Sequence, residues 1–199
     1  LTAVATGMLV PEENVYAQTI TNITAEDMSA AQRWGGDIKL IGRYIKDGDK
    51  HALYVAPFFV KSDNILSNID DVYNGISVTS NITGDYMFYG RGAGRYPTAG
   101  AIVADIVSAA SGAAAGETPV RWRRALPEET SKYEEQPFKW YIRVNTSDAP
   151  GCRENISVLF GDVDYLNESP GTKVEFITGN MSTKEIDLLL SRSEMSEAE

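Results

Sequence analysis

The chain has 199 residues, with 18 basic and 28 acidic side chains, a formal charge of −10 and a pI near 4.6. Its 43% hydrophobic and 23% charged residues are the balance of a chain that buries a core, which excludes a disordered protein; the acidic surface argues against nucleic acid, whose phosphates need a basic face. One cysteine, Cys152, and one histidine, His51, exclude a disulfide framework and a metal site built on nitrogen and sulfur, so a reducing cytoplasm is the expected compartment. No uninterrupted apolar run reaches the roughly 18 residues of a membrane span, so no membrane partner is expected. The opening stretch, Leu1-Thr-Ala-Val-Ala-Thr-Gly-Met8, is compatible with a helix and lacks both an initiator methionine and a capping residue before it, which reads as a fragment of a longer protein.

A helix is predicted over residues 24–34, where Thr24 can cap, Asp27 stands three positions on as the acid of a capping box, and Gly35-Gly36 supply the stop. Two β-rich runs follow, 38–46 and 51–61, separated by Asp47-Gly48-Asp49, a turn chemistry that suits an antiparallel hairpin. A second pair, 75–80 and 86–89, is joined around Gly84-Asp85, giving an expected sheet of about four strands. The run Gly90-Arg-Gly-Ala-Gly94 then feeds a helix over 99–110, in which Ile102, Ile106 and Ala109 recur at helical spacing. Residues 113–135 mix small residues, prolines and clustered charges and read as a linker at a domain boundary. Beyond it the pattern is strand (138–145), turn (Asp148-Ala-Pro-Gly151), helix (152–160), two strands (162–166 and 173–178) and helix (184–190). That β-α-β-β-α order is the early part of a ferredoxin-like unit. The fold class is α+β, mainly antiparallel sheet with helices.

Three glycines before a helix serve either a ligand whose atoms approach the backbone closely or a tight strand-to-helix turn. A Rossmann βαβ unit is excluded, because Gly90-x-Gly92-x-x-Arg95 carries arginine at the third glycine position and no parallel strand with a terminal acid follows. His51, beside Lys50 just past the hairpin turn, reads as a solvated histidine without a role, and Cys152 as a packing residue. Glu26-Asp27 and Asp70-Asp71 read as solvated acidic neighbours, since adjacent side chains point apart. These residues give a binding surface with no complete catalytic group.

Taken together, Asp37-Ile-Lys-Leu-Ile41, Asn74-Gly-Ile-Ser-Val78, Tyr89-Gly-Arg-Gly-Ala-Gly94, Pro97-Thr98-Ala99 and Val103-Ala-Asp105-Ile106 resemble homoserine dehydrogenase in order and spacing over residues 1–112. The resemblance implies the last part of a catalytic and dimerisation domain of an NAD- or NADP-dependent oxidoreductase. Such an enzyme interconverts homoserine and aspartate 4-semialdehyde in threonine and methionine biosynthesis. In that family a Rossmann domain holds the nucleotide, acidic residues bind homoserine and a lysine handles the hydroxyl proton; all would precede Leu1, so no catalytic residue is expected in this chain, which alone should be inactive. The glycine loop closes over the cofactor near its nicotinamide end, which assigns Gly94, with Ala93 and Gly92, to cofactor contact. Arg91 replaces the proline often found there.

Residues 136–199 resemble an ACT regulatory domain through Tyr141-Ile-Arg-Val144, Asp148-Ala-Pro-Gly151 and Val174-Glu-Phe-Ile-Thr178. That likeness implies an amino-acid effector, with threonine as the expected one, held by Asp148, Ala149, Pro150 and Gly151. A homodimer or higher oligomer is implied as well. The alternative is a non-catalytic amino-acid sensor or assembly module.

Overall fold

A computed structural model describes residues 1–116, 121–167 and 172–192. The chain opens with a short helix, α1 (Thr2–Thr6), and two short strands, β1 (Met8–Leu9) and β2 (Tyr16–Ala17). Helix α2 (Ala25–Trp34) forms where its caps predict. Thr24 Oγ1 accepts from the Asp27 amide at 3.3 Å while the Asp27 carboxylate accepts from the Thr24 amide at 2.8 Å, so two otherwise orphaned donors are satisfied. Gly35 ends it at φ 88°, a conformation that favours glycine.

The predicted hairpin is β3 (Gly36–Asp47) with β4 (Lys50–Lys61), antiparallel in unbroken register from Gly36 opposite Lys61 to Asp47 opposite Lys50. Gly36 has no alternative residue: a Cβ there would lie 2.2 Å from the Val60 carbonyl oxygen. β4 is central, with β2 parallel along its other edge, and buries Ala52, Tyr54, Ala56 and Val60.

Strands β5 (Tyr73–Ser80) and β6 (Gly84–Arg91) form the second predicted pair, but the expected four-stranded sheet does not exist. The two hairpins are separate sheets. The connection leaves β4 through a 3₁₀ turn at Ile65–Asn68, and Lys39 Nζ ties it to the Ile69 carbonyl (3.0 Å) and the Asp70 carboxylate (2.6 Å). Alternation along each strand reports which face is apolar; it carries no information about pairing across such a connection.

Helix α3 (Arg95–Ala114) follows and has no buried residue; Ile102, Val103, Ile106 and Val107 are all exposed. By length and composition alone the helix is long and apolar enough to cross a membrane, although it holds no uninterrupted apolar run of that length. A count of uninterrupted runs passes over it because Thr98, Asp105, Ser108 and Ser111 break the apolar sequence. Length and composition alone do not place it in a bilayer.

Of the stretch 113–135 read as a linker, Ala113 and Ala114 end α3, residues 117–120 lie outside the described residues, and residues 121–135 form a strap bound to the first segment. Strand β7 (Arg123–Arg124) pairs parallel with β1, the Ser131 amide donates to the His51 carbonyl at 2.9 Å, and the Tyr133 ring stacks on Tyr16 at 3.9 Å. The strap corrects the reading of His51, which is 7% exposed with Nδ1 2.7 Å from the Tyr44 hydroxyl. Local context saw only Lys50 and the turn, whereas the cover arrives from residues 130 and 131. Within the strap Arg123 forks onto both oxygens of Glu129 at 2.7 and 2.9 Å. Those bonds, with one from the Leu126 amide, pull the Glu129 carboxyl down to about 2. A depressed acid stabilises the fold above its ordinary range, and that contribution is lost progressively as the pH falls from that range through about 2. At about pH 3.5 the Glu129 carboxyl carbon should therefore still show the ionised ¹³C shift; a protonated shift there would refute the fork.

The C-terminal unit runs β8 (Phe138–Asn145), α4 (Ala149–Phe160), β9 (Asp164–Tyr165), β10 (Lys173–Met181) and α5 (Thr183–Arg192), in the predicted order. Its antiparallel sheet is ordered β8-β10-β9. Ile142, Val144, Val174 and Phe176 pack with Cys152, Ile156 and Phe160 of α4 and Ile186 of α5 into one core. Cys152 is a packing residue as expected, and burial raises its thiol pKa, which makes it a poor nucleophile.

Candidate functional site

The glycine loop leaves β6 at Arg91 and enters α3 at Arg95. The Gly92 amide donates to the Val72 carbonyl at 2.9 Å, which turns the chain back over β5. A Cβ on Gly92 would lie 1.8 Å from the Asn74 side-chain amide nitrogen, so the loop passes close against Asn74, whose side chain would have to shift to admit one. Gly94 sits at φ 119° and ψ 150°, a region open in practice to glycine alone, and its carbonyl accepts the first helical bond, from the Thr98 amide at 3.1 Å.

Residues 90–96 all lie on the open surface. No side chain caps α3 and no acid stands in its first turn, so the helix N-terminus presents its amides and the positive end of its dipole outward. Arg95 is in that first turn, and Arg91 lies over the Tyr73 ring, 5.1 Å from its centroid. Tyr73 in turn stacks on Tyr89 at 4.9 Å. Gly92, Ala93 and Gly94 are thus brought together on an accessible, electropositive corner whose backbone a ligand can approach. Among the described residues no group of three or more histidine, cysteine or acidic side chains converges to hold a metal.

The second predicted cluster has a different character. Asp148 caps α4: its carboxylate accepts from the Gly151 amide at 3.1 Å and its carbonyl from the Cys152 amide at 3.0 Å. A Cβ on Gly151 would lie 2.3 Å from that carboxylate, so glycine permits the cap. Ala149 is buried in the core, while Pro150 is exposed. The amide that would receive an effector's carboxylate is therefore already occupied by Asp148.

Glu26 and Asp27, read as solvated, are instead ion-paired with the C-terminal unit. Asp27 accepts from Arg143 at 2.7 Å and Glu26 from Lys173 at 2.5 Å. Adjacent residues do point apart, but Asp27 reaches Arg143 and Glu26 reaches Lys173, with Arg143 also 3.7 Å from Glu26, and both cations lie more than a hundred positions away, beyond any local pattern.

A family model described as homoserine dehydrogenase matches residues 1–107. The homoserine dehydrogenase of Helicobacter pylori is 32% identical over 164 residues, covering 82% of this chain and 38% of that protein. That of Neisseria gonorrhoeae is 32% identical over 182 residues, covering 85% and 40%. Among solved structures, a homoserine dehydrogenase from Thiobacillus denitrificans superposes with a TM-score of 0.82 over 99% of this chain and 48% of that one, at 24% identity, a likeness of fold. One from Staphylococcus aureus gives 0.74 at 21% identity. The chain spans about two fifths of the length of the curated relatives it matches.

Proposed function

Because the chain belongs to the homoserine dehydrogenase family, we propose that it forms the later part of an enzyme that interconverts L-homoserine and L-aspartate 4-semialdehyde with NAD or NADP in threonine and methionine biosynthesis. In this reading residues 1–112 belong to the catalytic and dimerisation domain, and Gly92, Ala93 and Gly94 form a backbone cover over the cofactor. The single observation that carries it is the glycine corner itself: exposed, with only the Ala93 methyl between two glycines, uncapped and positive, at the start of a helix. The residues fit the group. Gly92 and Gly94 let backbone approach a flat ring, and the open N-terminus of α3 with Arg95 suits an anionic portion of the same molecule. The nicotinamide, when bound, supplies the hydride chemistry; this chain's residues exclude water from it and fix its position. The residues that would take up substrate and move its proton are assigned to the parts of the enzyme outside this chain.

The apolar stripe of α3 and the exposed Ile76, Val78, Tyr86 and Phe88 of the β5–β6 ribbon support the same reading. We assign them to contacts with the nucleotide-holding part and with a second subunit, in a cytoplasmic homodimer or higher oligomer.

For residues 136–199 the proposal is an ACT-like regulatory module with threonine as effector. The β8-β10-β9 order supports it, and the Asp148 carboxylate offers an acceptor for an amino group. The alternative, a sensor or assembly module without catalysis, rests on the independent core of this unit. Calorimetric titration of the chain with threonine addresses the effector, and saturable binding is the expected result.

The test of activity is an assay of NAD(P)H oxidation with aspartate 4-semialdehyde. The chain alone is expected to give no turnover, whereas a chimera in which it replaces the matching region of the Helicobacter pylori relative is expected to turn over. Robust turnover by the chain alone, or an inactive chimera that folds, would overturn the proposal.

A further inference from the structure

Between α2 and the outer face of the C-terminal sheet lies a charged layer that the proposed enzymatic role does not use. Arg143 Nη1 is 2.7 Å from Asp27 Oδ1 and 3.7 Å from Glu26 Oε2, Lys173 Nζ is 2.5 Å from Glu26 Oε1, and Arg33 pairs with Glu175. The Tyr141 hydroxyl donates to the second Glu175 oxygen at 2.9 Å. Three cations thus face three carboxylates. The Arg143 and Glu175 side chains are only 7% and 6% exposed, and the bonded residues lie 116, 142 and 147 positions apart in sequence.

Each side of this layer also has supports of its own. Helix α2 carries its own capping box and seats Ala30 and Ala31, both fully buried. The sheet turns Ile142, Val144, Val174 and Phe176 into a core with α4 and α5, away from the charges. Asn167 fixes the charged stretch of β10 from its own unit, donating to the Lys173 carbonyl at 2.9 Å and accepting from the Glu175 amide at 3.2 Å.

Beside the charged layer Tyr141 also stacks on Phe59 at 4.9 Å, and Lys184 reaches Glu135 at 3.5 Å; the largest apolar contact between the two parts lies beside the covalent connection, where Phe138 meets Tyr54 at 5.5 Å and Phe58 at 5.9 Å edge-on, with Tyr133 against both Tyr54 and Phe138. Parting these rings would expose apolar surface to water, an unfavourable change. Parting the charges differs, since each ion regains its hydration as its partner leaves, so the net cost is small. The first contact behaves as a hinge and the second as a clasp.

We propose that the charged faces of α2 and the C-terminal sheet form a releasable latch, and that the C-terminal unit opens on the aromatic hinge without unfolding. The inference stands independently of the enzyme reading. Hydroxyl-radical footprinting of the full 199-residue chain tests it, with Tyr141, stacked on Phe59 at 4.9 Å, as the reporter of opening and the fully buried Phe176 as the reporter of unfolding. Glu26→Lys sets a cation against Arg143 and Lys173 and is expected to raise Tyr141 labelling about threefold or more with Phe176 unchanged. Adding Lys173→Glu is expected to bring Tyr141 back toward its original labelling, and Glu26→Gln to give a smaller rise. Unchanged Tyr141 labelling in Glu26→Lys, no recovery in the double variant, or Phe176 labelling that rises in step with Tyr141 would each overturn the latch.

Discussion

Phe176→Ala is expected to destabilise the C-terminal unit by about 4 kcal/mol, within the range of large-to-small changes at fully buried aromatic positions. Phe176 has no exposed surface and lies at the centre of β10, between β8 and β9. Its ring meets Phe160 edge-on at 5.4 Å and Tyr165 at 6.2 Å, so truncation removes contacts from α4 and β9 together. The cavity cannot collapse readily, because its walls are hydrogen-bonded strands and a helix fixed by the Asp148 cap. In urea the C-terminal transition should move to a markedly lower midpoint with little change in slope. A loss of less than about 1 kcal/mol would mean that this core is not packed as described.

Tyr54→Ala is expected to cost a similar amount, about 3–5 kcal/mol, in the first segment instead. Tyr54 is fully buried on the central strand β4 and meets Phe58, Tyr133 and Phe138. It touches the hairpin, the strap and the start of β8, so its loss removes the hinge as well as a core residue. Burial beside Tyr16 and Tyr54 pushes the Tyr133 phenol up to about 12, and in Tyr54→Ala water entering the cluster should bring it back toward its ordinary value. Spectrophotometric titration of the tyrosines checks this; an unchanged Tyr133 together with unchanged urea stability would contradict the cluster's role.

What was legible in the sequence was local. The capping box of Thr24 and Asp27 and the Asp47-Gly48 turn rest on residues within four positions and formed as read, whereas Asp148-Ala-Pro-Gly151, read as a turn before a helix at 152, is the cap and first turn of a helix that begins at Ala149. The succession of strand, turn and helix segments from 138 to 190 was likewise read in the β-α-β-β-α order that formed. Illegible features depended on partners far along the chain. The cover of His51, the docking of the strap and the pairing of Glu26 and Asp27 involve residues more than seventy positions distant, and no periodicity encodes them. The exposed stripe of α3 was readable as an apolar pattern, yet the pattern alone could not tell a face that meets this chain's own core from one that does not. The glycine loop stood between these cases: its turn was readable, and its exposure was not.

The central claim is that residues 92–94 form a close backbone cover for a nicotinamide. Gly94→Val in the Helicobacter pylori chimera tests it most directly, because φ 119° excludes a branched side chain while the loop, being exposed, contributes little to the core. The predicted result is a KM for NAD(P)H raised by about tenfold or more, with the melting temperature within about 2 °C of the unsubstituted chimera. An unchanged cofactor KM in a folded Gly94→Val chimera would contradict the claim.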